Sequence, residues 1–384
     1  MKVLSLFTGI GAFEKALKNI GIDYKLIGFS EIDKYAIKSY CAIHNVSEEK
    51  NLGDITKIDI TKLPKDIDLI THGSPCQDFS VAGKQAGGDL GTGTRSSLMW
   101  NTINIVTYCK PKYVIWENVK NLLSKKHRHN FDSYLSIMES LGYNNYYDVL
   151  NAKDYGIPQN RERVYTVSIR KDIDNGKFLF PEKEILKLRL KDMLEDKVDE
   201  KYYLDNAKIS KIKNSSFIQE KRRIQEKEYC DAILARDWKD PKCVQVGNLE
   251  GGKWDRINES CRRVYSEEGI SPTIHTCQGG NTEPKVVQRT PLKFLNRNQR
   301  NIKGDYAYCV DSCNSSGIKE IDKNNIRIRK LTPKECWRLM GFTDEDFEKA
   351  ANVPTSNTQL YKQAGNSIVV NVLEKIFKNL FKGE

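Results

Sequence analysis

Four side chains in three short motifs have the types needed to disturb the aromaticity of a pyrimidine. Cys76 stands in Ser74-Pro75-Cys76-Gln77-Asp78-Phe79-Ser80, directly after the apolar run 67–70. A thiolate is a strong nucleophile and a good leaving group, so it could add to carbon 6 of cytosine and later depart. The resulting enamine makes carbon 5 nucleophilic, which unmodified cytosine is not. Addition places negative charge at N3 and O2 of the ring, and a nearby acid must meet it. Glu117, in Glu117-Asn118-Val119 at the end of an apolar run, is the candidate; burial would raise its pKa towards neutrality. Arg161 and Arg163 alternate at the start of a further run, so they should point the same way. One of them could bind O2 and favour the Cys76 thiolate. Each residue also has a plainer reading: a buried thiol, a capping acid, a surface charge pair.

A second group of residues has the character of a nucleoside site. Phe7-Thr8-Gly9-Ile10-Gly11-Ala12-Phe13-Glu14 follows one apolar run and opens a helical one. Glycines there let the backbone turn sharply and approach a ligand closely. The position that a dinucleotide fingerprint gives to a third glycine is Glu14, whose charge would oppose a pyrophosphate. A ligand carrying an ammonium group, such as the methionine part of S-adenosylmethionine, would be tolerated. Glu31 lies twenty residues after Gly11, where an acid can accept ribose hydroxyls. Ile32 is placed to pack on a flat base. Gly53-Asp54-Ile55 should follow a short third strand, with Asp54 available to an adenine amino group. A Gly-x-Gly alone marks only a turn.

Elements able to position these residues are legible in the first half. Apolar runs at 3–7, 24–30, 67–71, 113–117, 146–151 and 164–169 read as strands, the last two antiparallel to each other. Helical spacing occupies 12–19, 34–44, 97–109 and 130–141. Repeated strand–helix units imply a mostly parallel sheet covered on both faces. Between residues 79 and 99 the chain is polar and rich in glycine, which suits a lid beside a nucleophile. Ser80, Lys84 and Arg95 belong to that stretch. From about 181 to 327 the sequence is charged and irregular. Regular structure resumes at Thr332-Pro333-Lys334-Glu335, a capping box with proline at the first helical position. A final amphipathic helix is expected from about 367 to 380, returning to the N-terminal sheet. The implied division is a catalytic domain at 1–182, a second domain at 183–328, and a C-terminal segment, 329–384, completing the first.

Composition narrows the partners. The 384-residue chain has 39% hydrophobic and 29% charged residues, ordinary for a globular protein. Its formal net charge of +11 favours a polyanionic partner. No apolar run is long enough to cross a bilayer, and no signal-peptide organisation precedes the first strand. Ten cysteines occur without a CxxC pair, which suits reduced thiols in a cytosolic protein. Cys309, Cys313 and His275 are poorly spaced for zinc, so no metal is expected.

The ordered set FTGIGAFE, SEID, GDI, GSPCQDFS, ENV, QNRERV, RKLTPKECWRLMGF and QLYKQAGNS resembles the bacterial cytosine-C5 DNA methyltransferase family of restriction–modification type. It spans about 1–170 and 329–380, and the combination is far more specific than any one piece. The resemblance implies an α/β, Rossmann-like enzyme using S-adenosylmethionine, with a smaller, irregular target-recognition domain. It makes Cys76 the nucleophile, Glu117 the acid at N3, and Arg161 and Arg163 the arginines holding base and loop. Phe7, Thr8, Gly9, Ile10, Gly11, Glu31, Ile32, Asp54, Ile55, Leu98, Asn366 and Ser367 fall at cofactor contacts. Ile32 departs from members that carry tryptophan against the adenine.

In the middle region, Thr273-Ile274 is similar to the Thr-Leu pair of the recognition domain, Gly279-Gly280 is expected to form a turn near DNA, and Arg263 could read a guanine edge, bind a phosphate or pair with a local acid. Double-stranded DNA would bind between the domains, with the target cytosine flipped out. A monomeric, cytoplasmic enzyme of a prokaryote or phage is expected, with a restriction endonuclease as a candidate partner. Two other readings are a tRNA cytosine methyltransferase, disfavoured by the lack of a Cys-Phe-Thr signature, and a silent DNA-binding regulator, disfavoured because Cys76, Glu117 and the glycines are all retained.

Overall fold

The computed structural model describes residues 1–75, 89, 95–203, 245–248, 263–266, 271–272, 285–289 and 326–381. The chain forms two compact units, one of Met1–Glu195, Ile270–Glu283 and Thr332–Glu384, the other of Asp196–Gly269 and Pro284–Leu331.

The first unit is built on a six-stranded sheet. Its strands are β1 (Lys2–Leu6), β2 (Lys25–Ser30), β3 (Leu69–His72), β4 (Tyr113–Val119), β5 (Tyr143–Asn151) and, after the two-residue β6 (Gln159–Asn160), β7 (Glu162–Arg170), in the order β2-β1-β3-β4-β7-β5. The first four run parallel; β7 is antiparallel to both β4 and β5. The strands β1 and β3 are neighbours in the interior of the sheet, and their Val3, Leu4, Leu6, Leu69 and Ile70 are fully buried. Such short, continuous apolar runs are what a sheet covered on both faces requires.

Helices α1 (Ala12–Asn19), α2 (Lys34–His44), α3 (Met99–Cys109) and α4 (Arg128–Ser140) follow their strands. Trp100, Ile103 and Val106 of α3 and Phe131, Tyr134 and Met138 of α4 join Leu4, Ile70, Val114 and Trp116 in one apolar cluster. The thiol of Cys109 is buried there, and burial pushes its pKa up to about 11, as for an inert core thiol.

After β12 (below), the chain re-enters this unit through α5 (Pro333–Arg338), α6 (Asp344–Ala351), α7 (Asn357–Asn366) and α8 (Val370–Leu380). The Thr332 capping box is formed: the Glu335 amide donates to Thr332 Oγ1 at 3.2 Å and the Thr332 amide to Glu335 Oε2 at 2.7 Å. Helix α8 packs on α1, with the rings of Phe13 and Phe377 6.4 Å apart.

Three local expectations are corrected. No third strand precedes Gly53; Asn51 makes a single bridge to Phe29, because Ser47, Asp54 and Asp59 each cap a short 3-10 turn and break the segment up. The last helix begins at Val370 rather than 367, because Ser367 is extended (φ −72°, ψ 163°) and its carbonyl is held by Arg161. Arg161 lies between β6 and β7, not within a strand, so simple alternation does not relate it to Arg163.

In the second unit, β8 (Gln245–Asn248), β9 (Arg263–Ser266), β11 (Lys285–Arg289) and β12 (Ile326–Lys330) form a sheet in the order β12-β11-β9-β8. Between β9 and β11, β10 (Ser271–Pro272) belongs to the first unit and pairs in parallel with β6. No helix among the described residues is long and apolar enough to cross a membrane.

Candidate active site

At the β1–α1 turn the backbone enters the left-handed region three times, at Phe7 (φ 54°), Gly9 (φ 55°) and Gly11 (φ 80°). For a phenylalanine this is a strained conformation of the kind found at ligand sites. The two glycines differ. A Cβ on Gly9 would meet nothing within 4 Å, whereas one on Gly11 would lie 2.8 Å from Tyr40 Cε2. Gly9 therefore faces open space and Gly11 faces packed protein.

Glu31, immediately after β2, is held by main-chain donors. Its Oε2 accepts from the Gly9 amide at 2.8 Å, and its Oε1 from Ile32 and Asp33 at 2.8 and 2.9 Å. A carboxylate has about four acceptor positions, so Oε2 keeps one in hand for a hydroxyl. Next to it, Ile32 is 74% exposed, an apolar surface standing in solvent. Asp54 accepts from the amide and hydroxyl of Thr56 through Oδ1, at 2.9 and 2.8 Å. Those bonds hold its carboxyl below the usual range, charged and able to accept at Oδ2.

Asn51 connects the two acids. Its Oδ1 accepts from the amides of Glu31 and Gly53, both at 3.1 Å, and its Nδ2 donates to the Glu31 carbonyl at 3.1 Å. No motif singled it out.

Three residues of the turns around this site have buried side chains. Ile10 is 1% exposed and Ile55 6%, so both shape the turns from within the core. Glu14 is fully buried, accepting from the Tyr40 hydroxyl at 3.1 Å, so it does not face an ammonium group. Beside it His44 donates through Nε2 to the Ile10 carbonyl at 3.0 Å, and burial lowers the His44 pKa. Thr8 is buried, Leu98 packs against the core cluster, and Asn366 is exposed at the end of α7.

At the chemical end, Glu117 sits within β4, one strand from β3, which leads to Cys76. Arg163 Nε lies 3.1 Å from Glu117 Oε1 in a largely buried ion pair. Burial raises the Glu117 pKa, and the charges of Arg163 and Arg161 oppose the rise without cancelling it. A Cβ on Gly73 would lie 3.8 Å from Glu117 Oε2 and 3.5 Å from Ile368 Cδ1, so the acid, the end of β3 and the C-terminal segment converge. Arg161 is 4% exposed, and its Nη2 donates to the carbonyls of Gly365 and Ser367 at 3.3 and 2.7 Å. It braces the segment carrying Asn366 and Ser367 rather than presenting a free fork to a base.

Two further β4 side chains hold Ser74, two residues before Cys76. Trp116 Nε1 donates to Ser74 Oγ at 3.0 Å, and Asn118 Nδ2 to the Ser74 carbonyl at 3.2 Å. His72 stacks on Trp116 with ring centroids 5.5 Å apart, and its Nε2 meets the Tyr134 hydroxyl at 3.2 Å. Alternation along β4 places Trp116 and Asn118 on one face, the only signal that could have suggested this.

Cys76, Ser80, Lys84, Thr273, Ile274, Gly279 and Gly280 lie outside the described residues, as do His275, Cys309 and Cys313. Arg95 opens the 3-10 turn before α3, and Arg263 begins β9, its backbone paired with Asn248.

The family model described as C-5 cytosine-specific DNA methylase matches residues 1–382. The chain belongs to that family. The enzyme is 39% identical to the orphan methyltransferase M.SPBetaI of Bacillus phage SPbeta, over 99% of this chain and 97% of that one. It is 32% identical to the type II methyltransferase M.HhaI of Haemophilus parahaemolyticus, over 99% and 94% respectively. Among solved structures, Dnmt2 methyltransferase of S. pombe superposes with a TM-score of 0.59 at 17% identity, covering 100% of this chain and 98% of that one, a likeness of fold. The methyltransferase thus has the Rossmann-like α/β fold of its family and transfers a methyl group from S-adenosylmethionine to carbon 5 of cytosine in DNA. Its residues fit that cofactor: an open glycine turn, a braced acid beside an exposed apolar side chain, and a second acid on the next turn.

Proposed function

We propose that Cys76 and Glu117 carry the chemistry on a cytosine flipped out of double-stranded DNA. The Cys76 thiolate forms a bond to carbon 6, and the displaced electron pair moves into the ring towards N3. Glu117, protonated to higher pH than an ordinary carboxyl because it is buried, donates its proton to N3. Carbon 5 is then the nucleophile of an enamine. S-adenosylmethionine supplies an electrophilic methyl group. Loss of the carbon 5 proton to solvent, return of the N3 proton to Glu117 and departure of Cys76 as thiolate restore the ring. Arg163, beside Glu117, keeps that carboxyl in place and is the arginine available to O2 of the base. Arg161 acts at one remove, bracing the 365–367 segment.

The cofactor is assigned to the Phe7–Gly11 turn, with Glu31 on the ribose, Ile32 against the adenine, Asp54 on its amino group, and Asn366 and Ser367 from the other side. The smaller unit, with Arg263, and the segment following β10, with Thr273 and Ile274, are assigned to sequence recognition; Ser80, Lys84 and Arg95 are assigned to DNA near the nucleophile. We infer a monomer acting in the cytoplasm of a bacterium or on behalf of a phage. The orphan naming of the phage relative favours action without a partner nuclease.

The observation that carries the reading is the buried Glu117–Arg163 pair one strand from the segment entering Cys76. Replacing Cys76 by alanine should abolish methyl transfer while leaving S-adenosylhomocysteine binding intact. An oligonucleotide with 5-fluorocytosine in the recognised site should trap wild-type protein covalently and fail to trap C76A. Methyl transfer by C76A at the wild-type rate would overturn the assignment.

A further inference from the structure

We propose that Asn51 is the positioning residue that sets adenine selectivity, by locking the ribose acid and the adenine-reading turn into one rigid unit. The proposal rests on the assignment of Glu31 to ribose and Asp54 to the adenine amino group.

Two loops that are separate in sequence must hold their acids in a fixed relation. The first leaves β2 at Ser30 and carries Glu31; the second reaches Asp54 through Gly53. No strand pairing spans them beyond the one bridge between Phe29 and Asn51. A single carboxamide replaces a longer ladder. Asn51 Oδ1 receives two amides, that of Glu31 and that of Gly53, and Nδ2 closes the ring on the Glu31 carbonyl. Both lone pairs of the oxygen are therefore used, one on each loop. Ser30 Oγ donates to the Gly53 carbonyl at 2.6 Å, so Gly53 is tied on both its polar groups. Gly53 adopts φ 69°, a conformation that lets the chain reverse into Asp54. The whole assembly fixes where Asp54 begins relative to Glu31.

Hydrogen-bond recognition depends on such placement. Asp54 is only partly buried in the free protein, so it becomes a buried acceptor when a bound ligand covers it, and it then rejects a ligand that lacks the donor more strongly than an apolar wall could. Hypoxanthine replaces the adenine amino group by a carbonyl, which would face the Asp54 carboxylate oxygen to oxygen. Discrimination between the two bases is then a direct reading of how well Asp54 is held.

The test is isothermal titration calorimetry of S-adenosylhomocysteine and S-inosylhomocysteine against wild type, Asn51→Ala, Asn51→Asp and Asp54→Ala. Wild type should prefer the adenine ligand. N51A should weaken the adenine ligand by roughly tenfold or more while changing the inosine ligand much less, so the ratio of dissociation constants contracts. N51D keeps the acceptor for the Gly53 amide and should retain most of the ratio, with both affinities reduced by the added charge near Glu31. D54A should remove the preference altogether. If N51A weakens both ligands by the same factor, or neither, Asn51 is only structural and the proposal fails. If D54A keeps the adenine preference, the underlying assignment of Asp54 fails instead. Should N51A not fold, Asn51→Ser, which keeps a polar side chain too short to reach both amides, decides in its place: a wild-type ratio there overturns the proposal.

Discussion

Alanine substitutions at the two glycines of the β1–α1 turn should have opposite phenotypes. Gly9 and Gly11 share the same turn and both have positive φ, 55° and 80°. In the left-handed region an L side chain costs about 1–2 kcal/mol, and both substitutions incur it. Only Gly11→Ala adds a collision, because its Cβ would stand 2.8 Å from both Tyr40 Cε2 and His44 Cδ2. Tyr40 is fully buried and stacked on Phe29 at 4.2 Å, so it cannot swing aside cheaply. Overpacking of that kind costs about 1–3 kcal/mol more, giving roughly 2–5 kcal/mol for G11A against about 1–2 kcal/mol for G9A. In melting temperature this is on the order of 5–15 °C for G11A and a few degrees for G9A. Ligand binding should rank the other way. The space around a Cβ at Gly9 is open, and on the present assignment the cofactor approaches there, so G9A should bind S-adenosylhomocysteine at least about tenfold more weakly, a loss of about 1.4 kcal/mol. Differential scanning fluorimetry of the free proteins and calorimetric titration with S-adenosylhomocysteine would measure both. Equal melting temperatures for the two variants would refute the packing argument. Wild-type affinity in G9A would refute the cradle.

Glu117→Gln should reduce methyl transfer by about 10²–10⁴-fold with cofactor affinity unchanged, as measured by single-turnover transfer and calorimetry. Burial raises the Glu117 pKa in the folded state, so the native protein holds this proton above the usual carboxylate range; stability should fall as pH rises through that window, and E117Q should remove that component from chemical-denaturation curves. His72 is fully buried with its pKa lowered to about 3. Below the unfolded value near 6.5 only the unfolded chain takes up this proton, so stability should fall by up to about 1.4 kcal/mol per pH unit between about 6.5 and 3. His72→Phe keeps an aromatic ring on Trp116 and should flatten that acid limb; an unchanged limb would show that His72 does not cause it. Thr332→Ala should cost about 1 kcal/mol in urea unfolding through loss of the α5 cap, without altering affinity for the cofactor.

Local order along the sequence was enough for the strand–helix alternation, the capping box at Thr332 and the placing of Glu117 beside the strand that leads to Cys76. Those depend on apolar periodicity, helix-start chemistry and the usual adjacency of successive parallel strands, all written into short windows. Glycine spacing marked the β1–α1 turn equally well, yet did not tell which glycine faces a ligand; that depends on Tyr40 and His44 of α2, which arrive only when the helix docks. Charge at Glu14 argued against a pyrophosphate, but only docking of α2 showed that the carboxyl turns inward to Tyr40. Alternation could not place Arg161, because the chain leaves the strand there and the guanidinium is captured by carbonyls some two hundred residues away. Asn51 and Trp116 carried no motif at all. Their roles come from bonds to Gly53 and Ser74 that exist only because the sheet brings separate loops to one edge. A sequence records which side chains can do chemistry; which of them face one another depends on long-range packing that no local window contains.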